Sequence, residues 1–324
     1  MSINLRKFYN EISDNDINFF TGVPDSLLKN ICSYIEENTV SENHIIAANE
    51  GSALAIGAGY YLATGKIPLV YMQNSGLGNA VNPLTSLTHE EIYKIPILLM
   101  IGWRGQPNFK DEPQHIKQGA ITKNLLDLLD IPTFIIGPEE PKNLPNLKKA
   151  LKLIKKIQTP VAILIRKSTF EGFKRNILET TDSDLLSREE AIGIIVESFP
   201  KDVFYISTTG MTSRELYELR EQKKLDHHND FLMVGSMGHS SSIALGVAIS
   251  NKSKKIVCLD GDGSAIMHLG SQAIISAQNP SNLVHIILNN GAHDSVGGQP
   301  TVGKDISLTS IAKAFNYKKV LPCE

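Results

Sequence analysis

Two short apolar runs, each followed at once by a polar turn, constrain the fold of this chain more than any other feature. Residues 256–259 read IVCL and precede Gly-Asp-Gly at 261–263, while residues 283–288 read LVHIIL and precede Asn-Asn-Gly at 289–291. Apolar runs of this length between turn residues are typical of buried strands. The segment 265–278 between them predicts a helix. The stretch therefore predicts a strand–turn–helix–strand unit.

Acidic and amide side chains follow the carboxyl ends of both predicted strands. Ligands bind at this edge of an open parallel sheet, and Mg²⁺ prefers oxygen ligands. Asp262, the amide oxygen of Asn290 and a nearby backbone carbonyl would supply part of an octahedron, which diphosphate and water could complete. Ser264 is expected to cap the helix that follows. GDG alone is also an ordinary turn and NN a hairpin signal, but their placement after two strands joined by one helix favours a ligand site.

GDG followed at this distance by NN resembles the thiamine diphosphate-binding signature. The resemblance implies that Asp262 and Asn290 bind Mg²⁺ through their side chains and that Ala292 binds it through its carbonyl oxygen. It also implies a diphosphate site that includes Gly261, Gly263 and Ser264.

Composition narrows the class of protein. A chain of 324 residues with 42% hydrophobic content has room for two α/β domains. No stretch predicts a membrane span or a signal peptide, and a net charge of −2 argues against a nucleic-acid or membrane surface. The three cysteines are widely spaced, without a metal-binding pattern, which favours a reducing cytoplasm.

Apolar runs alternate with helical patterns along both halves of the chain. Such alternation predicts parallel sheets covered on both faces. The expected fold is α/β, with two doubly wound parallel-sheet domains of the thiamine diphosphate-binding type and no middle domain. The expected boundaries are a pyrimidine-binding domain at 1–170, a linker at 171–187 and a diphosphate-binding domain at 188–324. Six strands are expected in the first half, at 19–22, 45–48, 68–72, 95–101, 133–136 and 161–165, and five in the second, at 203–206, 231–234, 256–259, 283–288 and 318–321.

Glu50 lies at the start of a helix rich in alanine and glycine, within AANEGSALAIGAGYYLATGK at 47–66. An acidic residue in a first turn also complements the helix dipole and needs no further role. The pyrimidine domain of the resembled enzymes carries a glutamate before a similar helix. The resemblance therefore implies that Glu50 hydrogen-bonds N1′ of the aminopyrimidine.

Two further turns precede helices in the second half. In VGSMGHSSS, from 234 on, Met237 could be core filler, but it matches the apolar residue that props the cofactor. Gly235 matches a residue whose carbonyl accepts a hydrogen bond from the 4′-amino group. In STTG, from 207 on, Thr209 and Gly210 precede a helix whose free amides suit a phosphate. Alone, this is an ordinary N-cap cluster; beside GDG, it resembles the other wall of a diphosphate site.

Four segments extend the resemblance to the phosphonopyruvate decarboxylases nearly end to end. They are FTGVPDSLL at 20–28, QNSGLGNAVNPLTSL at 73–87, IGWRGQPNFKDEPQHIKQG at 101–119 and NNGAHDSVGGQPT at 289–301. The sulfopyruvate decarboxylases share several of these motifs, but often carry the two domains on separate chains, so the fusion favours the phosphonate enzymes. Unlike these families, the chain is expected to lack a last helix and strand.

A 2-oxo acid with a second anionic group needs hydrogen-bond donors, and four basic side chains are candidates. They are Arg104, His115, Lys117 and Arg214, although Lys117 and Arg214 could equally be solvated surface charges. Asp25 matches an active-site aspartate of related decarboxylases, and Asp25, His115 and Glu50 are the expected catalytic residues. His293 and Asp294 could reach the substrate or be turn residues only.

The resemblance predicts decarboxylation of phosphonopyruvate to phosphonoacetaldehyde and CO₂ with thiamine diphosphate and Mg²⁺, since no side chain can stabilise the acyl carbanion. The alternatives are a sulfopyruvate decarboxylase, a carboligase of the acetolactate synthase type, and a protein that binds the cofactor without turnover. In the resembled family one cofactor spans domains of different subunits, so a homodimer or higher homo-oligomer is expected.

Overall fold

A computed structural model describes residues 2–174 and 185–323. Contacts divide the chain into two compact units, Met1–Ile177 and Leu178–Glu324. The expected linker at 171–187 lies largely outside the described residues, so its structure stays a prediction. In the described part of the chain, no helix combines the length and the apolar character that crossing a membrane requires.

The first unit contains a sheet of six parallel strands in the order β2-β1-β3-β4-β6-β5. All six expected strands are confirmed, with shifts of up to three residues at their ends. The strands are β1 Phe20–Gly22, β2 His44–Ile46, β3 Leu69–Gln73, β4 Leu98–Gly102, β5 Thr133–Ile136 and β6 Val161–Ile165. The central strands β4 and β6 are buried along their whole length, as expected for strands covered on both faces.

Helices cover both faces of this sheet. Alternate residues of β3 belong to two separate apolar clusters, with Leu69 and Tyr71 in one and Val70 and Met72 in the other. The first unit is therefore doubly wound. Its helices are α1 Leu5–Ser13, α2 Lys29–Asn38, α3 Glu50–Thr64, α4 Leu77–Pro83, α5 Pro113–Leu128 and α6 Pro145–Ile157.

The second unit contains four parallel strands in the order β10-β9-β7-β8 and a small antiparallel pair. The parallel strands are β7 Phe204–Ser207, β8 Asp230–Leu232, β9 Ile256–Gly261 and β10 Leu283–Leu288, and the pair is β11 Ala292–His293 and β12 Gln299–Pro300. The helices are α7 Arg188–Ser198, α8 Met211–Gln222, α9 Ser240–Ser250, α10 Asp262–Met267, α11 Gly270–Gln278 and α12 Leu308–Ala314. A capping box between Ser187 and Glu190 begins α7.

Three sequence predictions for the second unit are wrong. Residues 318–321 form no strand; their apolar end, Leu321, is 63% exposed and has no sheet face to bury. The expected helix at 265–278 is two helices, α10 and α11, with a break at His268. Gly270 weakens a continuous helix at this point, and the His268 ring packs against Gly238 instead. Ser264 lies inside α10 rather than at its cap.

Candidate functional site

Glu50 is the first residue of α3, which Asn49 caps by accepting a hydrogen bond from Ser52 N. The Glu50 side chain is buried, and its Oε2 accepts a hydrogen bond from Asn79 Nδ2 at 2.8 Å. The backbone of Gly76 lies so close to the same carboxyl group that a Cβ there would overlap Oε1. Gly76 and Asn79 both belong to the QNSGLGNA segment. The fold therefore fixes one carboxyl group at the carboxyl end of the sheet.

Asp25 follows β1 and lies against Gly102, the last residue of β4. Its Oδ2 accepts a hydrogen bond from Leu27 N at 3.1 Å, while Oδ1 is buried without a partner among the described residues. Burial disfavours the ionised carboxylate and raises the pKa of Asp25 to about 6, although the nearby positive charge of Arg104 opposes this shift. Asp25 can therefore exchange a proton near neutral pH.

Arg104 and His115 converge on one carboxylate, that of Asp111. Arg104 donates to Asp111 from Nε, at 3.0 Å to Oδ2, and from Nη2, at 2.6 Å to Oδ1. His115 Nδ1 lies 3.0 Å from Asp111 Oδ1. Burial would raise the pKa of Asp111, but these hydrogen bonds, with those from the Gly105 and Glu112 amides, hold it well below its usual range. Asp111 is thus ionised and neutralises much of the charge of Arg104.

Sequence reasoning missed Asp111 as a functional residue. Asp111 and His115 are only four residues apart, with Asp111 two residues before α5 begins and His115 in its first turn. The segment DEPQH therefore held a local signal for this contact. The pairing with Arg104 carried no such local signal. Lys117, on the same helix, is exposed to solvent.

In the second unit, Asp262 is the first residue of α10 and is only 2% exposed. The Thr301 hydroxyl donates a hydrogen bond to Asp262 Oδ2. Asn289 Nδ2 donates to the carbonyl of Gly303 at 2.7 Å. The backbone of Gly303 lies so close to Asp262 and Asn289 that a Cβ there would overlap both side chains. The segment 301–303 thus holds the Asp262 side chain from one side.

Asn290, by contrast, is exposed, and its amide hydrogen bonds are short-range. Its Nδ2 donates to Asp294 Oδ2 at 2.7 Å, and its Oδ1 accepts from Ala292 N at 3.1 Å. Leu288 and Gly261 are partners in the parallel register of β9 and β10, so Asp262 and Asn290 leave neighbouring strands at the same edge. Both asparagines are exposed. The Asn289 amide anchors the loop through Gly303, while the Asn290 amide contacts only the turn that follows it.

Hydroxyl groups connect the STTG and GDG turns. Thr208 Oγ1 donates to Ser264 Oγ at 2.9 Å, and the same Ser264 oxygen accepts from Gly238 N at 3.1 Å. These contacts join the ends of β7 and β9 to the loop before α9. Thr208 belongs to the STTG cluster predicted from the sequence, in which Thr209 and Gly210 were the candidates for cofactor binding. Thr209 and Gly210 are half-buried beside it.

Met237 and His293 flank Gly263. A Cβ on Gly263 would lie 2.8 Å from His293 Cε1 and 3.4 Å from Met237 Cε. Burial lowers the pKa of His293, partly offset by the negative charge of Asp262. Gly235, also half-buried, begins the loop that carries Met237. The structure thus brings Met237 and the GDG turn together, as expected.

A buried pair, Asp260 and His285, lies next to the GDG turn. Asp260 Oδ2 lies 3.2 Å from His285 Nε2, and Asp260 Oδ1 accepts a hydrogen bond from Gly261 N at 3.0 Å. These contacts fix the start of the turn.

Arg214, a candidate for binding the substrate, lies on α8 and is exposed.

The residues fit Mg²⁺ and a thiamine diphosphate by their chemistry. The candidate metal ligands of the second unit are a carboxylate, an amide oxygen and a backbone carbonyl, all hard oxygen donors. In the first unit, the Oδ1 of Asp25 is a buried polar atom without a hydrogen-bond partner in the described segments 2–174 and 185–323. Both observations agree with sites for a bound group.

Comparisons with known proteins point to the same cofactor. Residues 7–127 match the family described as "Thiamine pyrophosphate enzyme, N-terminal TPP binding domain", and residues 208–321 match its C-terminal counterpart.

Curated relatives match along most of the chain. Two phosphonopyruvate decarboxylases, from Streptomyces viridochromogenes and Streptomyces hygroscopicus, are each 36% identical over 93% of this chain and over 77% and 76% of their own length. A sulfopyruvate decarboxylase from Methanosarcina acetivorans is 31% identical over 86% of this chain and 73% of its own. That relative matches both units in one polypeptide, so domain fusion does not discriminate between the two activities.

Proposed function

The chain belongs to the family of thiamine pyrophosphate-dependent phosphonopyruvate and sulfopyruvate decarboxylases, and we propose that its substrate is phosphonopyruvate. It is a carbon–carbon lyase that releases CO₂ from a 2-oxo acid. The observation that carries the substrate assignment is the 36% identity to two phosphonopyruvate decarboxylases along 93% of the chain. In the proposed reaction the C1–C2 bond breaks, CO₂ leaves, and C2 gains one proton to give phosphonoacetaldehyde.

The second unit supplies the residues proposed to hold the diphosphate and its ion. Asp262, Asn290 and the carbonyl of Ala292 would bind Mg²⁺. The backbone and hydroxyl groups of the two turns would surround the diphosphate, namely Thr209, Gly210, Gly261, Gly263 and Ser264. Met237 would support the ring system, with the carbonyl of Gly235 accepting from its amino group.

When bound, the cofactor's thiazolium accepts the electron pair that decarboxylation leaves on the substrate carbon. Glu50 would share a proton with N1′ of the aminopyrimidine. The hydrogen bond from Asn79 and the close contact with Gly76 support this assignment because they hold the Glu50 carboxyl group in one orientation.

Asp25 and His115 are the groups proposed to move protons at the substrate. Burial keeps the pKa of Asp25 near 6, so the group can both hold and release a proton at neutral pH. Its partnerless Oδ1 would be the atom that faces the substrate.

The second anion of the substrate would be held by donors from the first unit. Arg104 is half-buried, and its Nη1 donates a hydrogen bond to the Ser26 hydroxyl at 2.6 Å, whereas its Nε and Nη2 donate to Asp111. Lys117 and Arg214 remain weaker candidates because both side chains are exposed.

Sulfopyruvate is the second candidate substrate, since a relative with that activity covers 86% of the chain. Carboligation would instead join the product to an acceptor aldehyde or 2-oxo acid. Measuring CO₂ release from phosphonopyruvate, sulfopyruvate and pyruvate, with and without an acceptor, separates these activities. Higher kcat/KM with sulfopyruvate, or CO₂ release accompanied by a ligated product, would replace the proposed function.

We also propose that the chain acts as a homodimer or higher homo-oligomer in the cytoplasm. The resemblance to enzymes whose cofactor contacts two subunits supports the first part. The three unpaired cysteines, two of them buried, agree with a reducing compartment.

A further inference from the structure

Asp111 accepts more hydrogen bonds than any catalytic candidate of the first unit. Besides Arg104 and His115, the amides of Gly105 and Glu112 donate to it, at 2.7 and 2.8 Å. Hydrogen bonds to an ionised carboxylate are shorter and stronger than neutral ones. One carboxylate therefore ties the segment after β4 to the first turn of α5.

These contacts set the direction of the Arg104 guanidinium. Its Nε and Nη2 edge is occupied by Asp111, and its Nη1 lies 2.6 Å from Ser26 Oγ, next in sequence to Asp25. The side chain is thus held near Asp25 while its charge is neutralised from the opposite edge. Without Asp111, the unpaired guanidinium would be free to pair with the orphaned Oδ1 of Asp25.

The same carboxylate orients the imidazole of His115. A carboxylate facing Nδ1 requires a proton on that nitrogen, which leaves Nε2 as the atom that can accept or donate toward a ligand. Asp111 lies two residues before α5 begins, and His115 is in the first turn of that helix, so the contact joins the loop to the helix N-terminus.

We propose that Asp111 is the positioning residue of this site: it fixes the tautomer of His115 and keeps Arg104 from forming an ion pair with Asp25. This inference rests on the proposed function, in which Asp25 and His115 act at the substrate. In this proposal Asp111 acts through Arg104 and His115 and not on the substrate or cofactor itself.

The groups that face Asp25 determine how its titration responds. Arg104, from the segment after β4, provides the positive charge, and Cys32, from α2, is buried near the same carboxyl group. Burial raises the pKa of the Cys32 thiol, so this group stays neutral. Arg104 is therefore the charged group beside Asp25 that Asp111 can influence. Removing the Asp111 charge should strengthen the effect of Arg104 and shift the Asp25 titration to lower pH.

The test compares wild type with Asp111→Asn and uses Asp127→Asn as the matched control. Asp127 is an exposed carboxylate in the last turn of α5, the helix that carries His115, and it forms a long ion pair with Lys123. In Asp111→Asn, the limb of the kcat/KM profile that lies near pH 6 in wild type should move to lower pH. The value of kcat/KM for phosphonopyruvate should fall about tenfold or more, as expected for lost charge-assisted hydrogen bonds. Asp127→Asn should change neither.

The double variant Arg104→Gln/Asp111→Asn tests whether the shift passes through Arg104, and it replaces the charged pair by a neutral one if the single variant folds poorly. Its limb near pH 6 should return toward the wild-type position, a non-additive result. A limb that stays in place in Asp111→Asn, or that moves equally in the double variant, would overturn the proposal.

A substrate-independent readout separates this proposal from the proposed function. The ¹⁵N spectrum of labelled histidines, with His115→Gln for assignment, should show His115 protonated at Nδ1 in wild type and a tautomer mixture in Asp111→Asn. An unchanged spectrum would overturn the role of Asp111. If wild type released no CO₂ from the substrates but Asp111→Asn still lost the Nδ1-protonated tautomer of His115, the role of Asp111 would be supported and the proposed function rejected.

Discussion

Asn79 Nδ2 donates a hydrogen bond of 2.8 Å to Glu50 Oε2, which joins the start of α3 to α4. The two residues are 29 positions apart, and the backbone of Gly76 closes the same pocket from another side. Glu50 is therefore a buried carboxyl group held in one orientation. This is the arrangement required of a group that shares a proton with a ring nitrogen at a fixed position.

Replacing Glu50 by Gln should lower kcat by about 10²-fold or more, because an amide cannot serve as a general acid–base. Binding of thiamine diphosphate, followed by calorimetry, should change little, since the proposed site for the diphosphate and its ion is in the other unit. Glu42→Gln, an exposed change in the same unit, is the control. Near-normal turnover in Glu50→Gln would remove Glu50 from the mechanism.

Asp262→Ala should abolish Mg²⁺-dependent binding of the cofactor, because the ion and the diphosphate are held as one unit. Calorimetric titration with thiamine diphosphate, at saturating Mg²⁺ and again in EDTA, measures this. Asp226→Ala removes an exposed carboxylate from the same unit and should leave the affinity unchanged. Unchanged affinity in Asp262→Ala would place the metal site elsewhere.

Asp25→Asn should stabilise the fold at neutral pH. The unfolded chain releases the Asp25 proton near pH 4, while the folded protein keeps it to about pH 6. The folded state thus binds more protons between these values, so the stability of wild type falls as the pH rises through this window. The ionised Asp25 therefore destabilises folded wild type by about 2–3 kcal/mol above pH 6. Below pH 4 the carboxyl group is protonated in both states, and this destabilisation is absent.

Thermal unfolding at pH 4 and pH 7.5 measures this effect, with Asp127→Asn as the control. The Tm of Asp25→Asn should exceed that of wild type at pH 7.5, and the advantage should shrink on acidification. A Tm advantage of the same size at both pH values would show that Asp25 is not destabilised by its ionisation.

Mixing Glu50→Gln chains with Asp262→Ala chains should restore part of the activity. Each variant alone lacks one half of the proposed site, and hybrids of an oligomer can combine an intact half from each chain. Activity is measured before and after mixing under conditions that allow subunit exchange, and sedimentation gives the oligomeric state. Full wild-type activity in a monomer would contradict the oligomer proposal.

The strands and the GDG and NN turns could be predicted from the sequence because their signals are local. Buried parallel strands read as apolar runs, and the polar residues that end β9 and β10 mark the edge of the sheet. The break after Met267 could not be predicted, since it depends on the packing of the His268 ring against Gly238. The same apolar pattern predicted a strand at 318–321, where no neighbouring strand pairs with it.

Side-chain partnerships between distant residues account for most of what the sequence did not show. Thr301 reaches Asp262 from 39 residues away, and Asp111 joins Arg104 to His115 across a loop and a helix. Neither the Thr301–Asp262 contact nor the Asp111–Arg104 contact has a periodicity or a motif. Arg104 and His115 were predicted as candidates by their chemical type, but the carboxylate that orients both required the fold.

The proposed substrate is tested by measuring CO₂ release from phosphonopyruvate, sulfopyruvate and pyruvate by the wild-type protein with thiamine diphosphate and Mg²⁺. Pyruvate lacks the second anion and leaves its donors unpaired, so phosphonopyruvate should exceed it in kcat/KM by several orders of magnitude. Sulfopyruvate, which is anionic but carries less charge, should lie between them, and release should stop when the cofactor is omitted. Pyruvate as the best substrate would contradict the phosphonopyruvate assignment. The absence of cofactor-dependent CO₂ release from all three would contradict thiamine diphosphate-dependent decarboxylation of these 2-oxo acids by this chain.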